Sequence, residues 1–166
     1  MIPVSEVLSG SHDKSTFSCG SNMLDTYLQR QANQDIKRKL AACFVIVETD
    51  TKIVKGYYTL SNSSVPLGLL PEKSQKKLPK AYKAIPTTLL GRLAIDQRFK
   101  GQGLGKILLI DALKRSYEIS KSVGSYAVIV DPIDSSAEPF YDKYGFIKLN
   151  DSGKMLLPMK TIGQLF

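Results

Sequence analysis

The chain is poor in the residues that build metal centres and disulfide frameworks. Its 166 residues include two cysteines, Cys19 and Cys43, and one histidine, His12. Two cysteines exclude the disulfide-rich scaffold of small secreted domains, and with one histidine they exclude a zinc site of the CxxC or HExxH type. We therefore predict no metal site, and we interpret both cysteines as small apolar residues.

Long hydrophobic runs are also missing. No apolar run approaches the roughly 18 residues that a membrane-spanning helix needs, and the opening residues MIPVSE lack the basic and apolar regions of a secretory signal. We therefore expect no membrane association and a cytoplasmic location. Apolar residues make up 43% of the chain and charged residues 23%, which is typical of a folded globular protein. The length favours one domain that spans residues 1–166.

The charge of the chain is unbalanced towards basic residues. Lysines and arginines number 23 against 15 aspartates and glutamates, which gives a formal net charge of +8. Such an excess is typical of proteins with an anionic partner, such as a polyphosphate cofactor, a nucleic acid or an acidic surface. A basic surface that only keeps the chain in solution is the alternative. Nine of the basic residues lie within positions 73–106, where Asp96 is the one acid.

Hydrophobic periodicity predicts helices and strands in a mixed order. The predicted helices cover residues 22–40, capped by Ser21 or Asn22, then 104–121, and 135–144, opened by a capping-box pattern at 135–138. The predicted strands cover residues 2–8, 42–48, 53–62, 87–96, 126–130, 146–149 and 154–159. We therefore predict an α/β (mixed α+β) domain around one sheet. Residues 64–86 form an irregular insertion, which in a compact domain is usually functional or mobile.

A glycine-rich turn follows the predicted strand that ends at Asp96. Glycines let the backbone approach a phosphate group, and amides at the start of the following helix suit phosphate oxygens. The spacing fits neither a Walker A loop, which needs glycine where Lys100 stands, nor a dinucleotide fingerprint, whose last glycine would replace Lys106. The pattern that fits is R-x-x-G-x-G, over Arg98–Gly103. A loop without a ligand is the alternative.

Two blocks of sequence resemble a known enzyme family. The R-x-x-G-x-G turn between a strand and a helix is similar to the acyl-CoA loop of the GCN5-related N-acetyltransferase (GNAT) superfamily. The A-x-x-F-Y-x-x-x-G-F spacing of residues 137–146 is similar to the second motif of that superfamily. Five further segments resemble the acetyltransferase toxins of bacterial toxin–antitoxin pairs. These segments are FSCG at 17–20, LDTYL at 24–28, GYYTLS at 56–61, IP at 85–86 and LGRLAID at 90–96.

The resemblance implies a GNAT-like single domain that uses acetyl-CoA, with a central mixed, mostly antiparallel sheet flanked by helices. It places the pantetheine arm along a strand end and the pyrophosphate on the amides of the turn. It assigns to Ile95 the backbone N–H that polarises the thioester carbonyl, and to Tyr141 the acid that protonates the departing thiolate. The residues that would bind acetyl-CoA are Leu93, Ala94, Ile95, Arg98, Lys100, Gly101, Gln102, Gly103, Leu104, Gly105, Lys106 and Tyr141.

The acceptor that the resemblance implies is the amino group of aminoacyl-tRNA, whose acetylation stops translation. No general base stands out, since His12 lies far from both motifs in the sequence. An α-amino group has a pKa of about 8, against about 10.4 for lysine, so it needs little help to lose its proton. The residues that we expect to meet tRNA phosphates are Lys73, Lys76, Lys77, Lys80, Lys83 and Arg92. The family's partner is a small ribbon-helix-helix antitoxin, and the resemblance suggests a homodimer.

Two other functions stay open. An acetyltransferase of a small-molecule or protein amine would use the same glycine turn. A cationic polyamine, however, would favour acidic walls over the basic segment 73–106. A non-catalytic module that binds CoA or an antitoxin would keep the same fold, but the presence of both Tyr141 and the glycine turn argues against it.

Overall fold

Two long strands, β3 (Val54–Pro66) and β4 (Ala84–Ile95), are neighbours in the middle of the sheet. The computed structural model describes residues 4–150 and 152–166. The other strands are β1 (Glu6–Val7), β2 (Ala42–Val47), β5 (Ala127–Val130), β6 (Ile147–Lys148) and β7 (Met155–Pro158). The seven strands are hydrogen-bonded in the order β1-β2-β3-β4-β5-β7-β6. The β4–β5 pair is parallel, whereas β1–β2, β2–β3, β5–β7 and β6–β7 are antiparallel, which confirms the predicted mixed, mostly antiparallel sheet.

Short helices and one long helix flank the strands. The α-helices are α1 (Asn22–Thr26), α2 (Ala32–Lys37), α3 (Glu72–Lys77), α4 (Leu104–Ser120), α5 (Glu138–Lys143) and α6 (Met159–Gly163). None of the helices within 4–150 and 152–166 combines the length and apolar character that a membrane crossing needs. In that same part of the chain, His, Cys, Asp and Glu side chains nowhere gather in threes as metal ligands would.

The chain divides into two units, the first made of Met1–Ser61 and Gly91–Ala112. Its core is built around the fully buried Tyr57, whose ring meets the Phe17 ring edge-on at 5.6 Å. Leu28 and Ala32 are four residues apart on one helical face, and both are fully buried in the same core. Tyr57 also donates a hydrogen bond from its hydroxyl to the Leu24 carbonyl at 2.7 Å, so the helical segment is tied to β3 as well as packed on it.

The second unit is made of Asn62–Leu90 and Leu113–Phe166. All four residues of β5 are buried, which explains why that strand is a continuous apolar run rather than an alternating one. Leu70 and Leu156 are fully buried in the same apolar cluster as Ile129 of β5. The parallel register joins Thr88–Leu90 of β4 to Val128–Val130 of β5, and β4 then continues to Ile95.

Several local predictions are wrong. The predicted helix 22–40 keeps its Ser21 cap, but a π turn at Tyr27–Gln31 separates α1 from α2. The predicted capping box does not form, because α5 begins at Glu138 with Ala137 as an N-cap that makes no side-chain bond. Ser136 is instead held in a turn, since its backbone N–H donates to the Asp134 carboxylate at 2.8 Å.

The remaining predicted elements are present, with some boundaries shifted by up to four residues. The predicted strand 2–8 is β1, and its first two residues lie outside the described part of the chain, as does Asp151 in the predicted closing turn. The insertion 64–86 contains the end of β3, a 3-10 turn at Leu67–Leu69 and α3, so it has more regular structure than the prolines suggest. Helix α6 was not predicted, because five residues are too few for a helical period.

The absence of a side chain at Gly56 allows three elements of the first unit to pack closely. A Cβ at this position would lie 2.7 Å from Ile95 Cδ1, 2.8 Å from Leu108 Cδ1 and 3.0 Å from the Ala94 carbonyl. We expect Gly56→Ala to lower the free energy of unfolding by about 1–3 kcal/mol, the usual cost of overpacking. Urea unfolding of both variants would test this, with Gly10→Ala as the control. An added Cβ at Gly10 meets nothing within 4 Å, and equal stability of the two variants would contradict the prediction.

Candidate functional site

A buried carboxylate fixes the entry to the glycine turn. Asp96 directly follows β4, its side chain is 1% exposed, and it caps the short 3-10 turn Gln97–Phe99. Its carboxylate accepts hydrogen bonds from the Ser18 N–H at 3.0 Å and the Arg98 N–H at 2.8 Å. The Arg98 Nε lies 2.9 Å from the same carboxylate. The Asp96 N–H donates to the Lys55 carbonyl of β3 at 2.8 Å, so both backbone and side chain hold this corner.

The surroundings of Asp96 keep it ionised. Burial on its own would raise the pKa of this carboxyl, but the hydrogen bonds from Arg98 and Ser18 outweigh burial, so the pKa lies below its usual value. A buried acid can remain a carboxylate when its oxygens accept several hydrogen bonds from N–H groups. The position is therefore structural: it sets the path of the chain into the turn.

The two cations that precede the glycines bind to groups of this chain. Arg98 pairs with Asp96, and its Nη2 also donates to Thr16 Oγ1 at 3.1 Å. Lys100 donates from Nζ to the Cys19 carbonyl at 2.8 Å. Both side chains were predicted to add positive charge for a phosphate. In this structure they fasten the turn to residues 16–19, and Lys106 is left as the exposed cation at the start of α4.

The glycines of the turn are needed for backbone conformation. Gly101 has φ +82° and Gly103 has φ +76°, which other residues rarely adopt, and a Cβ at either position would meet nothing within 4 Å. The first recorded α-helical bond of α4 runs from the Ile107 N–H to the Gly103 carbonyl at 3.2 Å. The N–H groups of the first turn of this 17-residue helix therefore have no helical partner and open onto the exposed glycines. This arrangement suits a phosphate group.

The end of β4 directly precedes the turn. Leu93, Ala94 and Ile95 are the last residues of β4, with Ala94 buried. The Gly56 backbone of β3 lies against Ala94 and Ile95, so this strand end is supported from within the first unit. Gln102 lies in the turn. Leu104 and Gly105 are the first two residues of α4, and Leu104 is buried.

Tyr141 lies in the second unit, on α5. Its ring packs edge-on against Phe140 at 5.2 Å and against Phe146 at 5.4 Å, and the residue is 9% exposed. Burial raises the pKa of Tyr141 to about 12, so the phenol keeps its proton at neutral pH. Gly145, at φ +94°, ends the helix and turns the chain back towards Phe146, as the G-F pair predicts.

The basic residues predicted to meet RNA differ in their surroundings. The Arg92 guanidinium lies 3.5 Å from the centre of the Tyr27 ring, and Tyr27 in turn donates its hydroxyl to Asp35 at 2.8 Å. Lys73, Lys76 and Lys77 lie on α3, and Lys80 and Lys83 follow it, all of them exposed. Lys160 lines one cavity together with Lys73 and Lys77. It was not among the predicted RNA-binding residues, because only its positive charge marks it in the sequence.

The chain is similar to known acetyltransferases along most of its length. The sequence pattern of a family described as an acetyltransferase (GNAT) domain matches residues 18–160. A curated relative from Mycobacterium tuberculosis, named a tRNA-acetylating toxin, is 33% identical over 92% of this chain and 90% of its own.

Solved structures with the same fold include two forms of the toxin AtaT. AtaT complexed with acetyl-methionyl-tRNAfMet has a TM-score of 0.90 and 33% identity, with 98% of each chain covered. A mutant AtaT bound to the C-terminus of the antitoxin AtaR and to acetyl-CoA has a TM-score of 0.81 and 29% identity, with 98% of this chain and 96% of that chain covered. With a family pattern that spans 18–160 and a relative matched along nearly its whole length, the chain belongs to the GNAT acetyltransferase family.

Proposed function

We propose that this protein transfers the acetyl group of acetyl-CoA to the amino group of aminoacyl-tRNA and thereby blocks translation, as a toxin. The observation that carries the proposal is the turn between Asp96 and α4. Two glycines with positive φ open onto solvent at the start of a 17-residue helix. The tRNA-acetylating relative and the AtaT complex with an acetylated aminoacyl-tRNA support the acceptor. The charge of +8 supports it as well.

The residues present fit acetyl-CoA, which supplies an activated acetyl thioester. The amides of Gly101–Lys106 suit its pyrophosphate, because the two positive-φ glycines have no side chain and the space beside them is open. Leu93–Ile95 offer strand backbone for an extended arm, since the β5 register of β4 ends before them at Leu90. The backbone N–H of Ile95 would donate to a carbonyl oxygen as negative charge develops there.

Tyr141 supplies a proton in this proposal. A phenol with a pKa of about 12 stays protonated at neutral pH, so it can donate to an anion and does not compete for the proton of the amine. Its ring is held between Phe140 and Phe146, which limits the directions in which the hydroxyl can point. The α-amine of an aminoacyl ester is partly neutral in the cytoplasm, so the chain needs no strong base of its own.

The finer assignments belong to the same proposal. Residues 1–166 act as one acetyltransferase domain in the cytoplasm, where charged tRNA is found. The basic residues Lys73, Lys76, Lys77, Lys80, Lys83 and Arg92 face the RNA. The partner is a small ribbon-helix-helix antitoxin, and the active form is a homodimer. The AtaT complex with an antitoxin C-terminus supports the antitoxin.

A substitution at Gly103 tests the cofactor site. Gly103→Val places a branched side chain where the pyrophosphate would lie, so we expect acetyl-CoA affinity to fall at least tenfold, about 1.4 kcal/mol. Wild-type protein should gain about 2.7 kcal/mol of stability at a hundredfold excess of acetyl-CoA over its dissociation constant. Calorimetric titration and thermal unfolding with and without acetyl-CoA would measure both effects.

Gly153→Val is the matched control. Gly153 has φ +70° and nothing within 4 Å of an added Cβ, so it carries the same backbone strain in a hairpin turn of the second unit. We expect similar loss of stability in both variants but unchanged acetyl-CoA affinity in the control. Equal acetyl-CoA affinity in the two variants would mean that the glycine turn does not bind the cofactor.

A conservative change tests Tyr141 as the proton donor. Tyr141→Phe keeps the ring contacts, so acetyl-CoA affinity should stay the same while the single-turnover transfer rate falls by roughly 10²–10⁴. Tyr144→Phe is the control, since Tyr144 ends the same helix and packs on the same Phe140 ring at 5.3 Å. The transfer rate of wild type should show no loss from phenol ionisation until the pH approaches about 12. A wild-type rate in Tyr141→Phe would leave this residue a packing role only.

The acceptor is tested by direct competition between two amines. We expect transfer of labelled acetyl from acetyl-CoA to bulk aminoacyl-tRNA, with a rate that falls steeply as salt rises, because phosphate contacts are screened. Acetylation of spermidine should be slow at low salt, where a basic surface repels a polycation most strongly. Rapid acetylation of spermidine with none of aminoacyl-tRNA would overturn the toxin assignment and favour a small-molecule acetyltransferase.

A further inference from the structure

The second unit contains an open cavity of about 520 Å³ that neither sequence motif predicts. Three segments line it: 73–78 from α3 and its end, 125–126 just before β5, and 158–161 at the start of α6. A volume of this size lies within the usual range of small-ligand pockets. Among the described residues that line it there are three lysines and no aspartate or glutamate.

The fold brings the three lysines together from distant parts of the sequence. Lys73 and Lys77 are four residues apart on α3, so they lie on one helical face. Lys160 comes from α6, whose first residue is fixed by a hydrogen bond from the Met159 N–H to the Tyr126 carbonyl at 2.8 Å. Helix α3 is fixed in turn by Gln75, whose side chain donates to the carbonyl of the fully buried Leu70 at 2.7 Å.

The chemistry of the walls favours a strong, fully ionised anion. Three lysines line one space, and the described residues of the lining include no carboxylate, so an anionic ligand relieves the repulsion between these like charges. Ser74 and Thr161 add hydroxyl groups to the lining, and serine and threonine hydroxyls commonly donate hydrogen bonds to phosphate oxygens. Lysine acts as a point charge on phosphate and does not require the fixed geometry of a carboxylate fork, so the walls suit a repeated backbone phosphate.

We propose that this cavity binds backbone phosphates of the acceptor tRNA, with Lys73, Lys77 and Lys160 as the neutralising groups. The inference rests on the proposed function in taking RNA as the acceptor. It goes further in two ways. It adds Lys160 to the RNA-binding residues, and it separates Lys73 and Lys77 from Lys76, Lys80 and Lys83, which do not line the cavity.

Two triple variants of the full chain test the proposal. The cavity variant is Lys73→Ala with Lys77→Ala and Lys160→Ala, and the matched control is Lys37→Ala with Lys114→Ala and Lys121→Ala, three lysines outside the residues proposed to face the RNA. Both remove three positive charges from exposed side chains. The probe is uncharged bulk tRNA, titrated against each protein across a salt series, so that binding is measured without any acetyl transfer. Acetyl-CoA affinity, measured in parallel, shows that each variant is folded.

The cavity variant should lose about 0.7–0.9 in the slope of log affinity against log salt for each phosphate contact removed, or a total of roughly 2–3. Its affinity for tRNA at about 0.1 M salt should fall roughly 10²-fold, while the control loses far less. A variant with arginine at positions 73, 77 and 160 should retain wild-type affinity, because it retains the charge. These results would support the proposal.

Other results would overturn it. Equal losses in the two alanine variants would mean that the cavity has no special share in binding, and a wild type that does not bind tRNA would end the proposal directly. Loss of polyglutamate binding in the cavity variant together with unchanged tRNA affinity would assign the cavity to an acidic protein partner. Failure of the proposed function is seen separately, as wild-type protein that binds tRNA but does not acetylate the aminoacylated form.

Discussion

The buried carboxylate of Asp96 is the interaction on which the site in the first unit depends. It connects β4 to the loop at Ser18 and to Arg98, and its own N–H connects β4 to Lys55 on β3. Removing an acceptor from buried N–H groups costs about 1–3 kcal/mol for each one left unpaired. Since the pKa of Asp96 is lowered by folding, this stabilisation is complete above its unfolded pKa of about 3.9. It is lost only as the pH falls through the lower folded value.

The sequence predicted best those elements whose local pattern and tertiary packing agree. The predicted helix 104–121 is α4, and Leu108 and Leu113 of its apolar period are fully buried, although Ile107 of the same period is exposed. The π turn at Tyr27–Gln31 could not be predicted, since an added residue in a helix leaves no clear mark on an apolar period. The capping box failed because the helix begins later than the pattern requires: Glu138, which the box places at the third helical position, is the first residue of α5.

The site was predictable to the extent that it is made of backbone. Positive φ at Gly101 and Gly103 follows from glycine in a turn before a helix, and one sequence is enough to predict it. Side-chain roles were harder, because the charge of Arg98 is taken up by Asp96, and that of Lys100 by a carbonyl at Cys19. The cavity that includes Lys160 could not be predicted from the sequence, since its walls come from three segments that only the folded chain brings together.

The two buried thiols have a use that their packing role does not suggest. Cys19 and Cys43 are both in the first unit, and these are the only cysteines of the sequence. Burial raises the pKa of Cys43 to about 12, so this thiol is neither accessible nor ionised while the unit is folded. An alkylating reagent can therefore modify Cys43 only when the first unit opens. The rate of its labelling in native buffer measures that opening without any engineered probe, and the second unit contributes nothing to the signal.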